Sequence, residues 1–139
     1  EINNSMPAYT VELLQDLLND AKVALNGTPV GVLGLAYKAN IDDLRESPAI
    51  DIIEHLEEHK AKVITYDPHL LRLSTAKSLD AILKKSDALV LATDHREFKE
   101  LITPALLKKH KIKAIIDGKN CLDKDAFLKA GIRYKGIGR

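Results

Sequence analysis

Between Gly31 and Pro48 the chain reads GVLGLAYKANIDDLRESP, and this run constrains the fold more than any other. Its first part continues Pro29-Val30 as a short apolar, β-branched segment to Gly34, the pattern of a strand buried on both faces of a parallel sheet. Its last part is a helix start: the Ser47 hydroxyl can cap free backbone N–H groups, and Pro48 suits the first helical turn. Beyond it Ala49, Ile53 and Leu56, flanked by Ile50 and Ile52, make an apolar face, and Glu54, Glu57, Glu58 and Lys60 make the polar one. The connection from Leu35 to Glu46 is longer than a strand-to-helix turn needs. In an open α/β sheet, extra chain at the carboxyl end of a strand is where ligands bind.

The loop carries two cations, Lys38 and Arg45, among the turn formers Asn40, Asp42 and Asp43. With the partial positive charge of the helix N-terminus, this set suits phosphate: an arginine fork spans two oxygens and a lysine acts as a point charge. The other reading of the same residues pairs both cations with Asp42, Asp43 and Glu46 on a solvated surface, and spacing alone leaves the two open. The glycine pattern, Gly31-x-x-Gly34-x-x-Tyr37, is not G-x-G-x-x-G, so the tight pyrophosphate turn of a main NAD-binding domain is not spelled here.

The rest of the chain alternates. Strands are expected at Lys62 to Tyr66, Ala88 to Ala92 and Ala114 to Asp117, with an extended piece at Ile132 to Tyr134. Helices are expected at Leu79 to Lys85, Arg96 to Leu101, Pro104 to His110 and Lys124 to Lys129. Such alternation specifies an α/β fold, a Rossmann-like open parallel sheet with helices on both faces and right-handed crossovers. Ahead of it, a helix starting at Ser5-Met6-Pro7 carries an apolar stripe of Val11, Leu14, Leu17, Leu18, Ala21 and Leu25, ended by Asn26-Gly27. The stripe fits either a helix packed on this sheet or a link, residues 1–27, to a region outside the sequence, with residues 28–139 forming the α/β domain. A start at Glu1 rather than Met reads as a fragment of a longer chain.

With 139 residues, 45% of them hydrophobic, the α/β part can bury its own core. The 21 basic and 20 acidic residues are interspersed, leaving no basic stripe for nucleic acid. No apolar run approaches the ~20 residues of a bilayer span and no signal peptide opens the chain, so no membrane partner is expected and the location expected is cytoplasmic. Cys121 is the one cysteine, which excludes an intramolecular disulfide and a cysteine zinc site.

Several side chains have both a ligand role and a plainer one. Asp94-His95 follows a strand and could reach a ligand, although a capping or turn role is commoner there. Asp67-Pro68 could hold a ribose hydroxyl, but a turn that fixes the chain is favoured. His55, His59, His69 and His110 have no metal-ligand spacing beyond the His55/His59 pair, which falls on the polar face of its helix.

Four blocks then carry a family resemblance: Asn4-Ser5-Met6-Pro7 before the long helix, GLAYKANIDDLRESPA, Tyr66-Asp67-Pro68, and Ile116-Asp117-Gly118-Lys119-Asn120 with the closing Gly136-Ile137-Gly138-Arg139. On these the chain resembles, over nearly its whole length, the carboxyl-terminal nucleotide-sugar-binding domain of the UDP-glucose/GDP-mannose dehydrogenase family. The second block is the specific one. The resemblance implies a parent enzyme that oxidises the C6 alcohol of a nucleotide-linked sugar to a carboxylate in two NAD-dependent hydride transfers through a cysteine-bound intermediate. It also implies partners: an NAD-binding Rossmann domain, a central helical domain used for dimer formation, and a homo-oligomeric full-length enzyme.

By the same resemblance Tyr37 and Lys38 contact the UDP-sugar, with Lys38 nearest the phosphates, and Arg45 reaches the cofactor pyrophosphate. Lys119 stands where many relatives carry arginine, keeping charge but losing the bidentate fork. Tyr37 replaces the commoner phenylalanine. The family's Gly-Gly-x-Cys nucleophile segment does not occur in these residues, and Cys121, in Asn-Cys-Leu-Asp, reads as a packed side chain. No catalytic residue is therefore expected in this chain, and it is expected to be inactive alone. Asn4 to Tyr9 is similar to members acting on UDP-N-acetyl-mannosamine or -glucosamine. UDP-glucose 6-dehydrogenase and a stand-alone nucleotide-binding regulatory module are the alternatives.

Overall fold

The structure is a computed structural model that describes residues 2–36 and 47–139, with side chains from Met6 onward. Its centre is a five-stranded, all-parallel sheet of β1 (Pro29–Leu33), β2 (Lys62–Tyr66), β3 (Ala88–Leu91), β4 (Ala114–Asp117) and β5 (Tyr134–Gly136), in the order β2-β1-β3-β4-β5. Among the described residues six helices surround it: α1 (Ile2–Asp20), α2 (Pro48–Glu58), α3 (Leu79–Lys85), α4 (Arg96–Leu101), α5 (Pro104–Lys109) and α6 (Lys124–Lys129). The α/β fold read from the alternation is the one observed.

The strand order dictates where the helices lie. From β1 the chain steps outward to β2, then returns past β1 to β3 and continues through β4 to β5. Crossovers of one hand put helices on opposite faces when the direction of travel reverses. The core divides accordingly. On one face Ala49, Ile52 and Leu56 of α2 pack with Val30, Val32, Val90 and Ile116. On the other, Ile82 and Leu83 of α3, Phe98 of α4, Leu107 of α5 and Phe127 of α6 pack with Leu33, Leu89, Leu91 and Ile115. Along β3 and β4 successive residues alternate between the two clusters, the period of two that a pleated strand imposes.

That winding makes α2 the one crossover helix on its face among the described residues, and it covers the β1–β2 side. The stripe Val11, Leu14 and Leu18 of α1, each wholly buried, fills the remainder against α2 and β4. Of the two roles its stripe allows, α1 performs packing on this sheet. The helix also stops earlier than expected, at Asp20 rather than near Leu25, because the chain turns left-handed at Lys22 (φ 62°) and the Val23 N–H bonds back to the Leu18 carbonyl. Leu25 is still buried, from a loop instead of a helix.

Other elements lie within a residue or two of where the sequence puts them. The Ser47 hydroxyl accepts from the Ala49 N–H, with Pro48 at the first helical position, as the sequence indicates. The last strand is displaced to Tyr134–Gly136, since Ile132 serves as a core residue ahead of it, and a 3-10 turn at Leu71–Leu73 has no counterpart in the sequence expectations. Among the described residues no helix is long and apolar enough to cross a membrane.

If α1 is integral to this core, truncating Leu14 to alanine should cost about 2–5 kcal/mol of stability, the range for a fully buried leucine. Urea denaturation of the Leu14→Ala chain measures it; a change near zero would show α1 to be dispensable to the fold.

Candidate functional site

In a sheet wound this way the connections that follow β1 and β3 leave toward opposite faces, which makes the carboxyl ends of these two strands the switch point of the sheet. The long loop begins at that point. Its first residues, Gly34, Leu35 and Ala36, are secured from neighbouring strands. The Gly34 N–H donates to the Tyr66 carbonyl at 2.8 Å. The N–H groups of Leu35 and Ala36 both donate to Asp67 Oδ2, at 2.7 and 2.9 Å. The Ala36 carbonyl accepts from the Thr93 hydroxyl at 2.8 Å. Gly34 is required where it stands: its φ is +100°, and a Cβ there would lie 2.5 Å from Thr93 Cβ.

Asp67 follows the last residue of β2 and has no exposed surface. Besides the two loop amides, it accepts from the His69 N–H on Oδ1 at 2.8 Å, and His95 Nε2 lies 2.9 Å from Oδ2. An ionised carboxylate only accepts, so Nε2 of His95 carries the proton. Burial pushes the Asp67 carboxyl up, but the hydrogen bonds from His95 and from Leu35, Ala36 and His69 outweigh it and hold the pKa at about 2, below the usual 3.8. The ring of His95 packs 4.7 Å from that of His69 and 5.6 Å from that of Phe98. Its position just before α4 is the capping or turn location favoured from sequence, but its side chain contributes through Asp67 rather than by capping the helix. Asp67 is likewise placed as the chain-fixing residue, its oxygens engaged by these donors.

A second strand-end aspartate works in the same way at β4. Asp117, the last residue of that strand, is fully buried and accepts from the backbone N–H groups of Lys119, Cys121 and Leu122 and from the Tyr134 hydroxyl. Arg139 closes over it, donating to the Tyr134 hydroxyl and the Leu122 carbonyl, with its guanidinium 3.6 Å from Asp117 Oδ2. Burial and the bond to Asp117 push the Tyr134 hydroxyl well above its usual pKa. Asn120, with φ at +52°, bonds through its amide to both the N–H and the carbonyl of Ile137. The two sequence blocks Asp117 to Asn120 and Gly136 to Arg139, separate in the chain, thus form one unit.

Lys119 emerges from this turn exposed at the carboxyl edge of the sheet, the same edge from which the β1 loop departs. Tyr37, Lys38 and Arg45 lie outside the described residues. Cys121 is half-buried, and burial together with the Asp117 and Asp94 carboxylates pushes its thiol up to about 12, which keeps it protonated and unreactive. Its reading as a packed side chain fits that environment. Sequence reasoning does not single out Thr93; a hydroxyl directly after an apolar strand, opposite a glycine-containing loop, is the available signal. Among the described residues no group of three or more His, Cys, Asp and Glu is placed to hold a metal ion.

The fold and the edge define a nucleotide-binding α/β domain of the doubly wound type. Residues 31–124 match the model of the UDP-glucose/GDP-mannose dehydrogenase family, UDP binding domain, and the chain belongs to this family. It is 38% identical over 138 residues to the UDP-N-acetyl-D-mannosamine dehydrogenase of Pyrococcus horikoshii, a match that covers 99% of this chain and 32% of that protein. Identity to the UDP-glucose 6-dehydrogenase of Rhizobium meliloti is 35% over 123 residues, covering 83% of this chain and 28% of that protein. The solved structure of a UDP-D-ManNAc dehydrogenase from Pyrococcus horikoshii superposes with a TM-score of 0.87 at 38% identity, over 97% of this chain and 31% of that one. The chain thus spans about a third of the length of the relatives it matches.

The depressed pKa of Asp67 fixes how stability responds to acid. A carboxyl whose pKa is lower folded than unfolded stabilises the fold fully above the unfolded value, and that contribution is lost as pH falls through the folded one. Asp67 should therefore supply about 2 kcal/mol above pH 4 that disappears between pH ~4 and ~2. Urea midpoints followed across this window should drop in the parent and change markedly less in Asp67→Asn.

Proposed function

We propose that this chain is the UDP-sugar-binding domain of an NAD-dependent nucleotide-sugar 6-dehydrogenase, and that the loop rooted between β1 and β3 receives the diphosphate. The observation that carries the reading is the placement of that root. The stretch from Leu35 to Glu46, an overlong strand-to-helix loop that carries Lys38 and Arg45, begins at the switch point of the sheet, where parallel α/β folds take their ligands. Tyr37, Lys38 and Lys119, the last just past the end of β4, are assigned to the UDP-sugar, and Arg45 to the NAD pyrophosphate. The lone pairs of the buried aspartates are taken up by their own sets of donors.

The reaction assigned to the whole enzyme is oxidation of the sugar C6 alcohol to a carboxylate, with NAD as hydride acceptor. This chain contributes binding and orientation of the nucleotide to that reaction. The nucleophilic cysteine and main NAD site belong to other domains, and residues 1–27 form the connection to them while also packing on the sheet. The higher identity to a UDP-N-acetyl-D-mannosamine dehydrogenase and the Asn4 to Tyr9 lead-in favour a UDP-N-acetylhexosamine substrate. The likeness to a UDP-glucose 6-dehydrogenase supports UDP-glucose as the second reading. A cytoplasmic enzyme fits a chain with one cysteine.

Calorimetric titration tests the binding role. UDP should bind this chain in preference to GDP or NAD, and Lys38→Ala should weaken UDP by about 1.5–3 kcal/mol, as for loss of a hydrogen bond to a charged group. Equal affinity of variant and parent would remove Lys38 from the site. The purified 139-residue chain mixed with NAD and any UDP-sugar should give no absorbance of reduced nicotinamide, because its only thiol is held protonated. Turnover would overturn the assignment of the nucleophile to another domain of the enzyme.

A further inference from the structure

Charges that are interspersed along the sequence are sorted in space by the fold. Helices α3, α5 and α6 lie on one face of the sheet and lead into β3, β4 and β5, three adjacent parallel strands. Their last turns therefore meet along the amino edge, where the Lys113 N–H bonds the Asp87 carbonyl and the Ile115 N–H bonds the Arg133 carbonyl. Lys84 and Lys85 stand before β3, and Lys108, Lys109, Lys111 and Lys113 before β4. Lys129 and Arg133 stand before β5, and every one of these residues is exposed. Among the described residues only Lys84 and Lys113 of this set have ion-pair partners, Asp80 at 3.0 Å and Asp87 at 3.6 Å. We infer that this basic edge is a docking surface for an anionic lipid membrane, met peripherally and with no segment crossing the bilayer.

Cations in a last turn also complement the helix dipole, but Lys111, Lys113 and Arg133 lie past the helix ends. Nor does turn geometry call for lysine. After α5 the Lys111 N–H bonds the Lys108 carbonyl and the Ile112 N–H the Leu107 carbonyl, with Lys111 at φ 59°. The same pair of bonds recurs after α6 with Gly131 in the equivalent place at φ 81°, glycine being the residue that left-handed backbone favours. The chemistry of the edge selects the partner. Lysines offer point charges without the arginine fork, and the helices turn carbonyl ends toward the edge, so no backbone N–H groups are presented to a seated phosphate. Among the described residues the one exposed aromatic ring, Tyr9, is on α1 and not at this edge, which leaves no platform for stacking a base. A bilayer asks only for a density of positive charge, and Leu128, 48% exposed beside Lys129, adds apolar contact at the headgroup boundary. The edge is opposite the carboxyl ends of the strands, on the face that α1 does not cover, so the nucleotide role proposed above leaves it free.

Co-sedimentation of the 139-residue chain with vesicles tests the surface. At about 50 mM salt the chain should pellet with vesicles of roughly one-third phosphatidylglycerol in phosphatidylcholine and stay in solution with phosphatidylcholine alone. Raising the salt to about 0.5 M should weaken the binding at least tenfold, since the screening length then shrinks to a few ångströms. Lys109→Glu/Lys111→Glu should weaken it about tenfold or more. Lys99→Glu/Lys124→Glu, the same change of charge away from the edge, should stay within about threefold of the parent. If the edge variant does not fold, the lipid and salt dependence of the parent decide alone. Binding to neither vesicle, equal binding to both, insensitivity to salt, or equal loss in the two variants would each overturn the inference. Preferential capture of a DNA duplex over the anionic vesicles at the same salt would overturn it too, by giving the edge to nucleic acid. A chain that fails to bind UDP but pellets as described would lose the nucleotide role and keep this one.

Discussion

A single unexposed carboxylate, Asp67, ties together three segments at the carboxyl edge of the sheet. It sits where β2 ends, yet its bonds reach the exit of β1 and the segment ahead of α4. An ion with no solvent contact is tolerated only when its lone pairs are filled, and here they are filled by backbone amides and an imidazole. The consequence is reciprocal. The amides need the carboxylate as much as the carboxylate needs them, so the geometry of the loop root and the ionisation of Asp67 stand or fall together. A pKa depressed in spite of burial is the electrostatic trace of that arrangement.

Asp117 repeats the device at the end of β4, with a different purpose. Its partners are the turn that carries Lys119 and the last residues of the chain, through Tyr134 and Arg139. The bond of Asn120 to Ile137 and the absence of a side chain at Gly136, whose Cβ would meet the Asn120 amide oxygen at 2.4 Å, let the two segments close on each other. Gly118 serves the same edge, since a Cβ there would fall 2.6 Å from the Leu91 carbonyl oxygen. Two strand-end aspartates therefore stiffen the carboxyl edge of the sheet on either side of the switch point, and the loop proposed to take the diphosphate leaves from between them. Rigid strand ends holding an adaptable ligand loop are the general solution by which such sheets bind nucleotides.

How far the sequence can be read differs from element to element. Ser47-Pro48 announces α2, and the apolar runs at Lys62 to Tyr66 and Ala114 to Asp117 announce β2 and β4, because capping chemistry and strand hydrophobicity are local signals. The end of α1 falls several residues before the end of its apolar stripe: Leu25 continues the stripe, but Lys22 adopts a left-handed backbone that composition does not foretell for a lysine. His95 is legible as a residue near a helix start and not as the partner of a carboxylate 28 positions earlier. Thr93 is legible only as a hydroxyl after an apolar strand, since nothing about it states which carbonyl will face it.

By itself the sequence determined the alternation of strand and helix, the absence of a G-x-G-x-x-G turn, and the block of residues that marks the family, all of which depend on neighbours along the chain. The tertiary structure decided which strands adjoin, and so placed the exit of β1 beside that of β3 and left a bare face for α1 to cover. It also decided that Asp67 and Thr93 converge on one tripeptide, with His95 bonded to Asp67 from behind. The physical reason is range: propensity and capping act over a few residues, whereas a hydrogen bond across the end of a sheet exists only after the crossovers have set the strand order.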